Sequence, residues 1–280
     1  MAGTLYVVAT PIGNLEDISV RALNVLRQVD RIACEDTRHS RRLLEHFAIR
    51  KPLVSYHEHN EALRTAELLD WLRQGADIAL ISDAGTPLIS DPGYEIVRAA
   101  AAAGLRVTPL PGPSAVMAAL CASGLPSDSF LFLGFLPARG TRRREALERV
   151  AHADTTVVLF EAPHRILETL GDLEAVAPGR PMAAARELTK LHEEILRGTP
   201  AEVRAELAGR PSIKGEFTLV LSKARAGDTA GLDEAGAAEA VAARVSAGAT
   251  RMEAIKAVAR ETRRSKREVY KIVERGDPGR

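Results

Sequence analysis

Apolar runs of strand length alternate with stretches of helical period along residues 1–222. The runs at 5–9, 31–34, 53–56, 78–81 and 105–110 predict five strands. Between them, 18–29, 40–47, a segment ending near Arg73, and 94–103 predict helices. The first of these puts Ile18, Ala22, Val25, Leu26 and Val29 on one face. Strand and helix in regular alternation predict a mostly parallel sheet covered by helices. The helix predicted at 115–122 is built of small residues. After Gly124-Leu-Pro126 the pattern changes. Strands are predicted at 130–135, which is aromatic, at 155–160, which is β-branched, and at 182–185, 192–198 and 215–222. Helices end near Ala151 and Ala177, and another covers 201–207. This second α/β unit has the look of a mixed sheet.

From 232 onward only helical patterns remain, at 235–247, 252–261 and 265–273. Three short helices with a turn at 261–264 suit a helix-turn-helix-like appendage. Ser265 with Glu268 three residues later forms a predicted capping box for the last helix. The chain therefore divides into an α/β domain at 1–113, a second at 114–224, a small-residue linker at 225–231 and a basic helical module at 232–280. No internal repeat appears.

Composition narrows the class without naming a function. The chain is 46% hydrophobic and 27% charged, with a net charge of +1, so any affinity for nucleic acid must reside in local patches. Residues 250–275 form one, with nine Lys/Arg against four Glu. Cys34 and Cys121 are the only cysteines and neither sits in a C-x-x-C pair. A disulfide framework or structural zinc site is not expected, and a reducing cytoplasm fits. No leader-like N-terminus and no apolar run of about 18 residues is present.

The stretch with most chemical promise runs from Ile78 to Gly93, Ile-Ala-Leu-Ile-Ser-Asp-Ala-Gly-Thr-Pro-Leu-Ile-Ser-Asp-Pro-Gly. A buried strand breaks into a stiff loop with two X-Pro steps and two glycines, then enters a helix. Open α/β sheets present ligand sites at such strand ends. Similar polar loops follow the other strands, at 11–17, 35–38, 57–61, 111–114, 161–165 and 186–190. If the strands run parallel, several converge on one cleft. There is no P-loop, no strand-then-G-x-G-x-x-G, no H-E-x-x-H and no G-x-S-x-G. These absences argue against an NTPase, ordinary dinucleotide binding, a zinc protease and a serine-elbow hydrolase. Ser114 reads as a helix N-cap rather than a nucleophile.

Five of these segments carry a resemblance. Ala-Thr-Pro-Ile-Gly-Asn-Leu-Glu-Asp-Ile-Ser at 9–19, Cys-Glu-Asp-Thr-Arg at 34–38, Ser-Asp-Ala-Gly-Thr-Pro-Leu-Ile-Ser-Asp-Pro-Gly at 82–93, Leu-Pro-Gly-Pro-Ser-Ala at 110–115 and Glu-Ala-Pro-His-Arg at 161–165 stand in order. Together they closely resemble the ribosomal small subunit methyltransferase I family of the tetrapyrrole-methylase superfamily, over nearly the whole chain. Arg-Glu-Leu-Thr-Lys at 186–190 and Gly-Glu-Phe at 215–217 are similar too. The resemblance implies two α/β domains with a cofactor cleft between them. It implies a cytoplasmic homodimer that uses S-adenosylmethionine to methylate the ribose 2′-hydroxyl of a cytidine in 16S ribosomal RNA of the small subunit. By matching motif, the cofactor contacts are Pro11, Asp83, Ala84, Gly85, Thr86, Pro87, Ile89, Ser90, Ser114, Ala115 and Phe160.

Methyl transfer from a sulfonium is an in-line displacement that requires no metal, and alignment dominates. A ribose hydroxyl is a weak nucleophile, so a base or a nearby cation helps. Glu35, Asp36, Glu187 and Lys190 are the candidates, and each also suits an ion pair or a cap. His57 and His164 are candidates for supporting contacts. For RNA, the basic patches supply Arg142, Arg143 and Arg144 in one loop and Arg263, Arg264, Lys266 and Arg267 in the C-terminal module. Two other readings remain open: a tetrapyrrole methyltransferase with the same cofactor site, and a helix-turn-helix regulator with a ligand-sensing body.

Overall fold

A computed structural model of the chain describes residues 1–224, 234–261 and 265–275. The expected linker at 225–231, and Arg263 and Arg264, lie outside the described residues. The first lobe contains β1 (Thr4–Val8), α1 (Val20–Gln28), β2 (Arg31–Cys34), α2 (Thr37–His46), β3 (Leu53–Ser55), α3 (Glu61–Arg73), β4 (Ile78–Ile81), α4 (Tyr94–Ala102) and β5 (Arg106–Leu110). Its five strands pair in the order β3-β2-β4-β1-β5, every pair parallel. Strand pleating sends alternate residues to opposite faces. In β4, Ala79 and Ile81 pack with Leu26 of α1 and Leu44 of α2, while Ile78 and Leu80 pack with Leu68 of α3 and Ile96 of α4. All four β4 residues are buried, which explains why this strand is a continuous apolar run.

The second lobe starts with α5 (Ala115–Ser123) and continues through β6 (Phe130–Phe135), α6 (Gly140–Ala151), β7 (Thr156–Glu161), α7 (Ile166–Val176), β8 (Met182–Arg186), β9 (Glu194–Gly198), α8 (Pro200–Ala208) and β10 (Phe217–Leu221). The strand order is β6-β7-β10-β8-β9; only β6 and β7 run parallel. The sheet is therefore mixed, as its sequence pattern predicts. Helices α6, α7 and α8 cover one face, and α5 covers the other through Val116, Ala119 and Leu120. β10 is central and buried along its whole length. Truncating Leu219 there to alanine is expected to cost about 2–5 kcal/mol.

Local caps set where the helices start. Ser19, Asp36 and Ser114 each accept a backbone N–H in the first turn of α1, α2 and α5. Helix α2 starts at Thr37, earlier than its apolar period suggests, because Asp36 is the cap. The C-terminal helices α9 (Glu234–Ser246), α10 (Arg251–Glu261) and α11 (Lys266–Arg275) share a core of their own around Val241, Ile255, Val258, Val269 and Ile272. The capping box at α11 is formed: Ser265 N–H donates to Glu268 Oε2 at 2.7 Å and Glu268 N–H to Ser265 Oγ at 3.2 Å.

Candidate functional site

After β1 the chain crosses to β2 on one side of the first sheet; after β4 it crosses to β5 on the other. β1 and β4 are neighbours, so their carboxyl ends border the crevice where connections diverge, the position at which open α/β sheets bind ligands. The two loops are stitched together there. Thr10 N–H donates to Gly85 O at 2.8 Å, and Gly85 N–H to Thr10 O at 3.0 Å. Thr10 Oγ1 donates to Ser82 O at 3.0 Å, and Thr86 Oγ1 to Pro113 O at 3.0 Å. Gly85 has φ +82°, and a Cβ there would lie 3.3 Å from Ile12 Cγ2. Leu88 and Ser90 also hold positive φ, 72° and 68°. Such backbone persists only where its surroundings over-determine it.

This loop faces the inner surface of the second sheet across a cavity of about 270 Å³. Of the sequence-predicted cofactor contacts, Asp83, Ala84, Gly85, Thr86, Ile89, Ser90, Ser114, Ala115 and Phe160 line it. Pro11 lines only a second cavity of about 370 Å³ alongside, and Pro87 lines neither. The two cavities share Ile12, Asp83, Ala84, Lys190 and Glu216 in their walls. Ile12, Asp91, Glu161 and Leu188, from the polar loops expected to converge, line the first cavity too; Phe135, Ala185, Glu216, Phe217 and Thr218 also line it and were not named as site residues from the sequence. Ala185 and Thr218 are paired across β8 and β10, and Thr218 also pairs with Phe160 of β7. The period-two alternation of these strands was the available signal, but it names no site until the strand order is known.

Asp91 is the carboxyl most perturbed. Burial pushes it up to about 6, with the negative charges of Glu35 and Asp83 adding to the effect. Asp83 Oδ1 accepts the backbone N–H of Asp36 at 3.1 Å, tying the loop to the start of α2.

The four catalytic candidates separate into two pairs. Glu187 and Lys190 line the first cavity; Glu35 and Asp36 line neither. Asp36 is occupied as a helix cap, and the N–H of Arg38 holds its carboxyl below the usual range. Burial, then the charges of Asp83 and Glu58, raise Glu35. Lys190 Nζ lies 2.8 Å from Glu187 Oε1 and 3.0 Å from Glu216 Oε2. Burial disfavours the charge on Lys190, but the two carboxylates outweigh it and the ammonium is stabilised. The hydrogen bond from Lys190 holds Glu187 below its ordinary range. Neither group is thereby suited to take a proton near neutrality; Lys190 stays a protonated ammonium fixed by its two carboxylate partners. Glu187 and Thr189 have φ of 51° and 67°. Thr189 N–H donates to Glu193 Oε2 at 2.6 Å, and Asn14 N–H donates to Thr189 Oγ1 at 3.1 Å. This strained turn is thus clamped from both lobes.

His57 and His164 line neither cavity. His57 is a turn fixture: its N–H donates to Asn60 Oδ1 at 2.9 Å. Among the RNA candidates, Arg142 and Arg144 are exposed, as are Lys266 and Arg267 in the first turn of α11. Arg143 must be withdrawn from that surface. It is buried, donates to Pro137 O at 3.0 Å and Thr169 Oγ1 at 3.1 Å, and pairs with Asp172 at 2.6 Å. The reason is helical period: Arg143 shares the inward face of α6 with Leu147 and Val150. Thr169 in turn donates to buried Glu161, whose carboxylate accepts the N–H of Ala162 and faces Arg165 at 3.6 Å. Of the 161–165 motif, Glu161 alone lines the cavity, and Thr169, Ala162 and Arg165 hold its carboxylate there. No cluster of potential metal ligands occurs among the described residues.

The family model for Tetrapyrrole (Corrin/Porphyrin) Methylases matches residues 4–204. The chain is 45% identical over 271 residues to the ribosomal RNA small subunit methyltransferase I of Synechocystis, covering 96% of this chain and 97% of that one. It is 57% identical over 195 residues to the protein of the same name from Pseudomonas aeruginosa, 69% of each chain. In fold it is similar to the uroporphyrin-III C-methyltransferase of Thermus thermophilus in complex with S-adenosylhomocysteine, with a TM-score of 0.55 at 19% identity over 79% of this chain and 97% of that one.

Proposed function

The chain belongs to the ribosomal RNA small subunit methyltransferase I family of tetrapyrrole methylases, and on that premise we propose how this methyltransferase acts. It transfers a methyl group from S-adenosylmethionine to the ribose 2′-hydroxyl of a cytidine in 16S ribosomal RNA. The observation that carries this reading is the pair of adjoining cavities with Asp83 and Lys190 in their common wall.

The first cavity fits the methyl donor. Gly85 lets the backbone approach a ligand without a Cβ. Ile12, Ile89, Ala115, Phe160 and Leu188 offer apolar surface, and Asp83 and Asp91 offer negative charge suited to a sulfonium and to ribose hydroxyls. When bound, the donor supplies an activated methyl group, so the protein need not provide a metal. The residues then hold the reacting centre in line. Lys190, kept protonated by Glu187 and Glu216, favours negative charge developing on the acceptor oxygen. Asp91, pushed up to about 6, is the cavity carboxyl best matched to accepting a proton near neutral pH.

The RNA is held by Arg142 and Arg144 at the start of α6 and by Lys266 and Arg267 on α11, all exposed cations. The same reading makes the protein a cytoplasmic homodimer; no described helix is long and apolar enough to cross a membrane. The decisive test uses donor labelled in the methyl group, with small-subunit particles as acceptor. Nuclease digestion should release labelled 2′-O-methylcytidine. Label on a base, or on added tetrapyrrole instead of RNA, would defeat the reading. Sedimentation equilibrium measures the dimer independently.

A further inference from the structure

The second cavity opens directly onto the proposed donor site. Five wall residues are common to both. Its volume of about 370 Å³ lies within the usual range for a small-ligand site. Its remaining wall is formed by the 11–15 loop and one flank of α2, where His39 and Arg42 face the space beside Leu43. Together with Lys190 this gives three basic side chains against the carboxylates of Asp83 and Glu216. Glu216 is already paired with Lys190, and Asp83 with the N–H of Asp36.

Helix α2 reads Thr-Arg-His-Ser-Arg-Arg-Leu-Leu-Glu-His. Arg38 is paired with Asp36. Arg41 and Arg42 are exposed, and neither has an ion-pair partner among the described residues. An unpaired guanidinium at the rim of a cavity is suited to bidentate contact with phosphate oxygens. The helix is also firmly seated. Leu43 and Leu44 are buried beneath it, and its Asp36 cap is bonded to Asp83 of the donor loop. A group gripped by α2 is thus held at a fixed distance from the methyl donor, which is what an in-line displacement demands.

We propose that this second cavity is the seat of the acceptor nucleotide of a single-stranded RNA segment, with Arg42 and His39 on its own phosphate and Arg41 on a neighbouring one. The acceptor ribose then lies at the junction beside Lys190. This rests on the RNA-methyltransferase reading above and goes beyond it by assigning α2 to the substrate.

The test compares Arg42→Gln, His39→Gln and their combination with wild type and with Arg73→Gln, a surface change on α3. Thermal midpoints confirm folding, and calorimetry gives donor affinity. Methyl transfer to small-subunit particles is followed at several salt concentrations. The double variant should raise KM for the particle at least tenfold while donor affinity stays within about twofold. The salt slope of log KM should fall by about one for the lost arginine contact. Arg73→Gln should match wild type. A double variant with unchanged KM and salt slope overturns the proposal and leaves the methyltransferase reading standing. A wild type that fails to methylate the RNA removes both.

Discussion

Lys190 Nζ sits 2.8 Å from Glu187 Oε1, and the backbone of Glu187 and of Thr189, the residue before Lys190, is held at positive φ. The ion pair and the positive-φ turn stand together at the shared wall of the two cavities, which Lys190 lines. Lys190→Met should therefore lower kcat about 10²-fold with little change in donor affinity, and Lys190→Arg should recover part of the loss. Gly13→Ala attacks the same cation from outside, because its Cβ would fall 2.3 Å from Lys190 Cγ. A similar fall in kcat is expected. Steady-state kinetics against particle concentration checks both.

Asp91 lines the first cavity, where burial pushes its carboxyl up to about 6. Its charged form attracts a sulfonium, so donor affinity should be full above about pH 7 and decline as pH falls through 6. Stability runs the other way. The folded pKa is raised above the unfolded one, so the folded state binds the extra proton and this group favours folding more as pH falls from about 6 towards 4. Asp91→Asn should flatten the pH dependence of donor binding. Calorimetric titration between pH 5 and 7.5 measures it.

Gly85 combines φ +82° with the close approach of Ile12. Gly85→Ala should cost roughly 1–2 kcal/mol of stability from the left-handed backbone. It should also weaken donor binding, because the new methyl group lies at the cavity wall. Chemical denaturation and calorimetry separate the two effects. A variant that binds donor normally would show that the loop does not touch it.

Arg143 differs from its neighbours. Arg143→Ala removes the buried partner of Asp172 and Thr169, and a loss of about 1–3 kcal/mol is expected, since Asp172 remains partly open to water. Arg142→Gln with Arg144→Gln should leave the thermal midpoint within a degree or two and weaken RNA binding in a salt-dependent way. Neutralising all three together would confuse unfolding with loss of RNA contact. Thermal melts beside filter-binding titrations resolve the two.

Much was legible in the chain because the signals are local. Strand and helix alternation, the cap at Ser114, the Ser265–Glu268 box and the stiff loop after β4 each depend on residues a few positions apart. Nine of the eleven predicted donor contacts line the first cavity because they lie on that loop or at the strand and helix ends facing it. Arg143 could also have been placed, since its i+4 and i+7 neighbours are Leu147 and Val150.

What tertiary structure decided was adjacency. The order β3-β2-β4-β1-β5, with β1 beside β4, brings the loop after β1 against the loop after β4. Only the pairing of β7, β10 and β8 sets Phe160, Thr218 and Ala185 side by side. Lys190 meets Glu216 across 26 residues, and it adjoins the α2 cavity from the other lobe. Hydrogen-bond propensity and hydrophobic period say that a strand will pair and which face it buries. They do not say with which partner, because that choice is made by how whole layers pack.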